Sequence, residues 1–123
     1  MITAVEVRER VDGSNKAFEE NAAKLACAMV ERVADPLVRK MIRDRKVEIE
    51  KEYSAKELFG PLIRTVLIDE AEDRDLQERA RQIANDKIHE AGFEGGFSTA
   101  ILGEPMYGGG NGRYTVWVLR LAC

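Results

Sequence analysis

The amino-acid sequence predicts an α+β domain that is mainly helical, with four to five helices and a C-terminal antiparallel β-hairpin. Three observations lead to this prediction. Thr3 and Glu6 have the spacing of a capping box, which marks a helix start. Gly92 occupies the position of a left-handed helix cap. Residues 114–119 are rich in aromatic and β-branched side chains, as buried strands are.

The first part of the chain carries an amphipathic helical pattern. Apolar residues recur over residues 4–34 at alternating spacings of three and four. Gly13 interrupts this stripe, and glycine costs roughly 1 kcal/mol relative to alanine inside a helix. The pattern therefore leaves open whether this segment forms one helix or two.

Asp35 and Pro36 suit the start of a new helix, which we predict over residues 37–53. Its apolar side consists of Leu37, Val38, Met41, Ile42 and Ile49.

The middle of the chain carries a second capping box, in which Ser54 and Glu57 predict another helix start. Pro61 predicts a break or kink soon afterwards, because proline removes a backbone donor. Residues 62–68 would suit a strand or one face of a helix, and we favour a helix because the acidic run that follows has a helical pattern. Residues 73–91 form the clearest predicted helix.

The remaining residues predict the hairpin. Two extended runs flank a glycine-rich loop, in which Asn111-Gly112 favours a tight turn. We assign the whole chain to a single domain, residues 1–123, with a helical part over 1–92 and the hairpin over 93–123. An isolated hairpin is marginally stable, so we expect the helices to cover it.

The composition is that of an ordinary globular protein, with 45% apolar and 33% charged residues. A net charge of -3 gives no general attraction to nucleic acid or to anionic membranes. No apolar stretch approaches the roughly 20 residues that a membrane-spanning helix needs. Cys27 and Cys123 do not suggest a disulfide framework, and the charged start of the chain is not typical of a signal peptide. We therefore expect a cytoplasmic protein with no membrane partner.

The glycine-rich loop is the candidate ligand site. Its glycines can expose backbone N–H groups to an anion, and Arg113 offers a planar guanidinium suited to phosphate. The tyrosines that flank the loop can stack on a nucleotide-like ligand. The loop lacks the Lys-Ser/Thr pair of a P-loop, and a plain connector is the alternative. The candidate ligand-binding residues are Tyr107, Gly109, Gly110, Asn111, Arg113 and Tyr114.

The densest basic stretch, residues 39–46, is the candidate partner site. At helical spacing Arg39, Arg43 and Lys46 share a side, where they can meet phosphates or the acidic surface of a partner. The alternative is a solvated face that pairs with nearby acidic residues.

The sequence gives no set of residues that predicts catalysis. The one histidine, His89, lies in the last turn of the clearest helix, where it suits the helix dipole. The acidic residues of the segment 69–75 lack the central glycine and the ligand spacing of a calcium loop. We therefore predict no cofactor and no metal, and we favour a protein that is not an enzyme.

Both ends of the chain resemble small accessory proteins of tailed bacteriophages. The opening MITAVEVRE is similar to the short capped helix with which many of these proteins begin. The other end matches in its Gly92-Phe93 helix stop and in an aromatic strand from Tyr114 to Trp117 after a loop rich in Gly or Asn. The resemblance covers little of the middle of the chain and carries over no catalytic residue. It implies a viral protein with an accessory, host-takeover or anti-defence role in the host cytoplasm.

Together these observations favour a non-enzymatic binding protein. It would act by stoichiometric binding of a host protein or by sequestering a small anionic ligand. The alternative is a nucleic-acid-binding module or a small enzyme that uses the basic helix. We also expect self-association, with a dimer favoured. The apolar stripe from Val7 to Val33 exceeds what one hairpin covers, and a two-stranded sheet leaves an open edge.

Overall fold

The computed structural model describes residues 1–66, 74–102 and 114–123. The helices pack on one face of a three-stranded antiparallel sheet whose strand order is β1-β3-β2. The α+β class and the C-terminal hairpin, formed by β2 and β3, are thereby confirmed. In chain order the elements are α1 (Ala4–Met29), a π-helical turn (Val30–Ala34), α2 (Asp35–Asp44), β1 (Glu48–Ser54), α3 (Ala55–Val66), α4 (Arg74–Glu90), β2 (Glu94–Leu102) and β3 (Tyr114–Ala122).

The N-terminal segment forms one helix. α1 runs without a break through Gly13, and it begins at the predicted cap, where the Glu6 N–H donates to Thr3 Oγ1 over 3.2 Å. Residues 1–17 are exposed, whereas Leu25 and Met29 further along the same stripe are fully buried. Only the second half of α1 therefore contributes to the core.

The predicted helix break at Asp35-Pro36 is wrong. The π turn joins α1 directly to α2, and the Asp35 N–H bonds to the carbonyl oxygen of Val30, five residues back. Asp35 is itself helical and makes no capping bond through its side chain. Pro36 fits because the first turn of α2 needs no donor from it. Counting α1, the π turn and α2 as one continuous helix, the described residues form three helices, fewer than the four to five that the sequence predicts.

The predicted helix over residues 37–53 is correct only in its first half. α2 ends at Asp44, and Arg45 adopts a left-handed conformation with φ 55°. The Lys46 N–H closes the helix end by donating to the Met41 carbonyl oxygen over 3.0 Å. This is the Schellman pattern, with arginine in the position that glycine usually holds.

The second half of that segment is β1, so the part of the chain predicted as helical contains a strand. Val47, Ile49 and Tyr53 alternate with glutamates, and an alternation of period two is typical of strands. β1 pairs with β3 along its whole length, from Glu48 opposite Ala122 to Ser54 opposite Val116. This pairing provides the backbone hydrogen bonds that stabilise the segment as a strand.

α3 begins at the second predicted cap, where the Glu57 N–H donates to Ser54 Oγ over 3.1 Å. The sequence predicts a break or a kink at Pro61, and because Pro61 lies inside α3, the helix does not break there. The helix continues to Val66, which confirms the helical interpretation for residues 62–66. Residues 67 and 68 lie outside the described part of the chain.

α4 agrees with the prediction to within one residue at each end. Gly92 takes the expected left-handed conformation, with φ 93°. The Phe93 N–H donates to the Ile88 carbonyl oxygen over 3.2 Å, and the Gly92 N–H donates to that of His89 over 3.0 Å. These two bonds complete a Schellman motif.

The core lies between the helices and the central strand. Trp117, Leu119 and Leu121 of β3 face the helices, and Leu119 stands opposite Lys51 of β1 and Phe97 of β2. The rings of Trp117 and Phe59 meet edge to face, with centroids 4.9 Å apart at an interplanar angle of 85°. No helix in the described ranges has the length and apolar character required to cross a membrane.

Candidate binding surfaces

Most of the predicted ligand site falls outside the described residues, namely Tyr107, Gly109, Gly110, Asn111 and Arg113. Tyr114 is described and opens β3 opposite Leu102, with 58% of its surface exposed. The ligand site in the loop stays a prediction.

The residues of the predicted partner site are all exposed. Arg39 and Arg43 lie one turn apart on α2, and Lys46 follows the helix end. All three are exposed because Leu37 and Met41 turn the other side of α2 into the core. The Arg43 guanidinium lies 4.0 Å from the Asp44 carboxylate, with 75% of the arginine side chain exposed. An ion pair this exposed contributes little stability, so the cations remain available to a partner.

Two aliphatic side chains share this surface. Ile42 is 74% exposed and Val47 is 71% exposed. The prediction that Ile42 belongs to the apolar, inward side of its helix is therefore wrong. On α2, Ile42 lies three residues after Arg39 and neighbours it on the helix surface, and Lys46 and Val47 follow the helix end. We call Arg39, Ile42, Arg43, Lys46 and Val47 the α2 surface.

Side chains of α4 hydrogen-bond to the outer edge of β2 at Gly95 and Phe97. Asn85 Nδ2 donates to the Phe97 carbonyl oxygen over 3.0 Å, and Asn85 Oδ1 accepts from the Phe97 N–H over 2.7 Å. Arg81 Nη1 donates to the same carbonyl oxygen over 3.3 Å. His89 Nε2 lies 2.7 Å from the Gly95 carbonyl oxygen. The backbone groups at the start of β2 are thus already hydrogen-bonded.

Glu78 and Gly96 determine where Arg81 and Asn85 lie against β2. Arg81 is held by the Glu78 carboxylate, and this hydrogen bond lowers the pKa of Glu78 and raises that of Arg81. Gly96 is buried with φ 123°, and a Cβ atom there would lie 2.5 Å from Asn85 Oδ1. Glycine is therefore needed for α4 to approach β2 this closely.

Among the residues that the structure describes, none bonds in this way to the outer edge of β1. The Cys123 N–H donates to the Val47 carbonyl oxygen over 2.9 Å, so these two residues form a hydrogen-bonded pair. Because bonded pairs alternate along an antiparallel ladder, the N–H and C=O groups of Glu48, Glu50 and Glu52 point away from β3. No group within the described ranges hydrogen-bonds to these outward-facing backbone atoms.

A pocket of about 390 Å³ lies beside β1, on the side of the strand that faces the helices. Lys51 and Tyr53 of β1 line it, and the Lys51 ammonium lies 5.1 Å from the centroid of the Tyr53 ring. Burial raises the pKa of the Tyr53 hydroxyl. The apolar wall of the pocket consists of Val33, Leu37, Leu58 and Leu62. Its charged residues are Arg32, Lys51 and Glu57.

The opposite face of β1 is acidic. Glu48, Glu50 and Glu52 alternate with the residues that face the helices, so they lie together on the side of the sheet away from the helices. Arg120 Nε of β3 donates to Glu48 Oε1 over 2.8 Å. Glu50 and Glu52 make no ion pair with any described residue.

The described residues also include no group of three or more His, Cys, Asp or Glu side chains that could hold a metal ion. Most of the acidic segment, residues 69–73, lies outside them. Comparison with protein-family models, with curated proteins and with solved structures finds no match. Functional inference therefore depends on the surfaces described above.

Proposed function

We propose that this protein is a non-enzymatic binding protein that engages an acidic patch on a partner protein through the α2 surface. The exposure of Ile42 and Val47 among cations is the observation that supports it. A basic face that is only solvated does not require two large exposed aliphatic side chains near its cations. Apolar contacts surrounded by charged groups are typical of protein interfaces.

The two kinds of side chain would have different roles. Burying an aliphatic side chain such as Ile42 or Val47 contributes about 1.5–3 kcal/mol, which favours a stable complex. Exposed cations add less affinity, but they accelerate association with an acidic surface and make the rate depend on salt. The α2 surface combines both properties on the described part of the chain.

The resemblance of the chain ends to bacteriophage accessory proteins supports a host protein as the partner. Such a protein would act by stoichiometric binding, because the sequence offers no set of catalytic residues. Self-association stays a separate prediction. The exposed residues Ile2, Val5, Val7 and Val11 at the start of α1 support it better than the sheet edges do.

The test is quantitative capture from a lysate of the host that supports the phage. The immobilised protein is compared with the double variant Ile42→Ser/Val47→Ser. We expect a partner that the original protein retains and the double variant loses by about tenfold or more, which corresponds to about 1.4 kcal/mol. The matched control is Val5→Ser/Val11→Ser, which removes exposed aliphatic groups from α1 instead. A partner that both double variants capture equally well would contradict the proposal.

Nucleic-acid binding is the second candidate, because Arg39, Arg43 and Lys46 share one exposed side. It predicts a different dependence on the same surface. Binding to a fluorescent oligonucleotide would weaken steeply with salt and would fall on replacing the cations. It would be nearly unchanged in Ile42→Ser/Val47→Ser. Strong anisotropy signals with this pattern would favour the second candidate over the first.

A further inference from the structure

We infer that the open edge of β1 binds an extended segment of a partner protein as an additional strand of the three-stranded sheet. This site is distinct from the α2 surface, and it does not depend on the function proposed for that surface. Three features of β1 point to the same occupant: backbone groups that bond to no described residue, the pocket on one of its faces and the glutamates on the other.

The backbone groups define the mode of binding. Glu48, Glu50 and Glu52 each present an N–H and a C=O outward from the sheet. An extended peptide that pairs with this edge satisfies these groups along a regular ladder. Strand addition of this kind takes its affinity from main-chain hydrogen bonds and its specificity from pockets for alternate side chains.

The pocket defines the side chains on one face of the added strand. Successive side chains of a strand point to opposite faces, so every second residue would project beside Lys51 and Tyr53. That position opens on the pocket of about 390 Å³, whose wall includes Val33, Leu37 and Leu62. An apolar side chain fits this wall.

The glutamates define the side chains on the other face. There the added residues would stand opposite Glu50 and Glu52, which make no ion pair with a described residue, because Arg120, opposite Glu50 on β3, bonds to Glu48. Opposite charges directly across a strand pair stabilise it, and like charges destabilise it. The occupant is therefore a segment that alternates apolar and basic residues.

The same charges argue against a second copy of this chain at the site. Two β1 strands related by a twofold axis would place the glutamates of one copy against those of the other, which is unfavourable. β2 does not offer an equivalent site, because Asn85 already occupies the backbone groups of Phe97.

The test uses two synthetic seven-residue peptides with fluorescent labels. One alternates lysine with leucine, and the other alternates glutamate with leucine. We expect the full-length protein to bind the lysine peptide roughly tenfold more tightly than the glutamate peptide. The amide resonances of Glu50 and Glu52 should shift on binding. A lysine peptide that is N-methylated on the edge facing β1 should lose binding, because it cannot complete the ladder.

The double variant Glu50→Lys/Glu52→Lys should reverse the preference between the two peptides. Glu94→Lys, which changes a glutamate of β2 on the same face of the sheet, should leave the preference as it is, and circular dichroism checks that both variants fold. Equal affinity for both peptides, unchanged binding of the N-methylated peptide, or shifts that map only to α2 would each overturn the inference.

Discussion

The two edge strands β1 and β2 flank the same central strand, but the hydrogen bonding of their outward-facing backbone groups differs. On β2, Asn85 hydrogen-bonds to both backbone groups of Phe97, and His89 reaches Gly95. On β1, the corresponding outward groups meet no described partner. Proteins usually protect sheet edges, because a free edge can pair with other chains. Within the described ranges, α4 side chains bond to the start of the β2 edge, whereas the β1 edge lies beside a pocket, and this difference is the reason for inferring that β1 binds a further strand.

The largest expected loss of stability comes from replacing Gly96, which disturbs the contact between Asn85 and β2. Gly96→Ala places a Cβ 2.5 Å from Asn85 Oδ1 and forces alanine to adopt φ 123°. The strained backbone and the displaced amide together should lower the free energy of unfolding by about 2–4 kcal/mol. Urea denaturation followed by circular dichroism measures this.

The matched control is Gly13→Ala, at a helical position with nothing within 4 Å of the added Cβ. It should raise the free energy of unfolding by about 1 kcal/mol, because alanine favours the helix. A loss below about 1 kcal/mol for Gly96→Ala would show that α4 does not hold β2 as closely as described.

An intermediate effect is expected for Asn85→Ala. It removes both hydrogen bonds to Phe97 without straining the backbone, so the free energy of unfolding should fall by about 1–3 kcal/mol. Hydrogen exchange should speed up at the Phe97 amide. Asn15→Ala, an exposed asparagine of α1, is the control and should change stability by less than about 0.5 kcal/mol. If the two variants were equally stable, the two sheet edges would not differ in the way proposed.

The smallest effect concerns the turn that leads into β1. Arg45 has φ 55°, a conformation that costs a residue other than glycine about 1–2 kcal/mol. Arg45→Gly removes this strain but gives the unfolded chain more freedom, so stability should rise by only about 0.5–1 kcal/mol. Lys40→Gly, in the middle of α2, should lower it by about 1 kcal/mol. Thermal unfolding distinguishes the two, and a destabilised Arg45→Gly would mean that the arginine side chain has a structural role.

The elements that the sequence predicts correctly are those with local causes. The caps at Thr3 and Ser54 and the stop at Gly92 each depend on residues within one helical turn. The sequence does not predict β1, because its glutamates and lysine favour helix over strand. The alternation of Val47, Ile49 and the intervening glutamates was the available signal, but only pairing with β3 decides the outcome.

The candidate surfaces divide in the same way. The shared side of Arg39 and Arg43 follows from helical spacing, so the sequence predicts it, whereas Lys46 lies beyond the helix end at Asp44, where that spacing no longer applies. The exposure of Ile42 depends on how α2 is rotated against the core, which spacing alone does not give. The contacts of Asn85 join residues on two elements that no local pattern relates. The adjacent Gly95-Gly96 pair was the one hint that another element approaches β2.

The π turn lets the buried residues on both sides of it keep a four-residue spacing. Met29, Val33, Leu37 and Met41 recur every four residues, whereas an α-helix returns to the same side about every 3.6. The wider turn absorbs the difference, as one inserted residue would. Deleting a single residue from the turn should therefore restore a regular α-helix and keep Leu37 and Met41 on the core side. The same deletion within α2 would instead rotate the residues that follow it by about 100°.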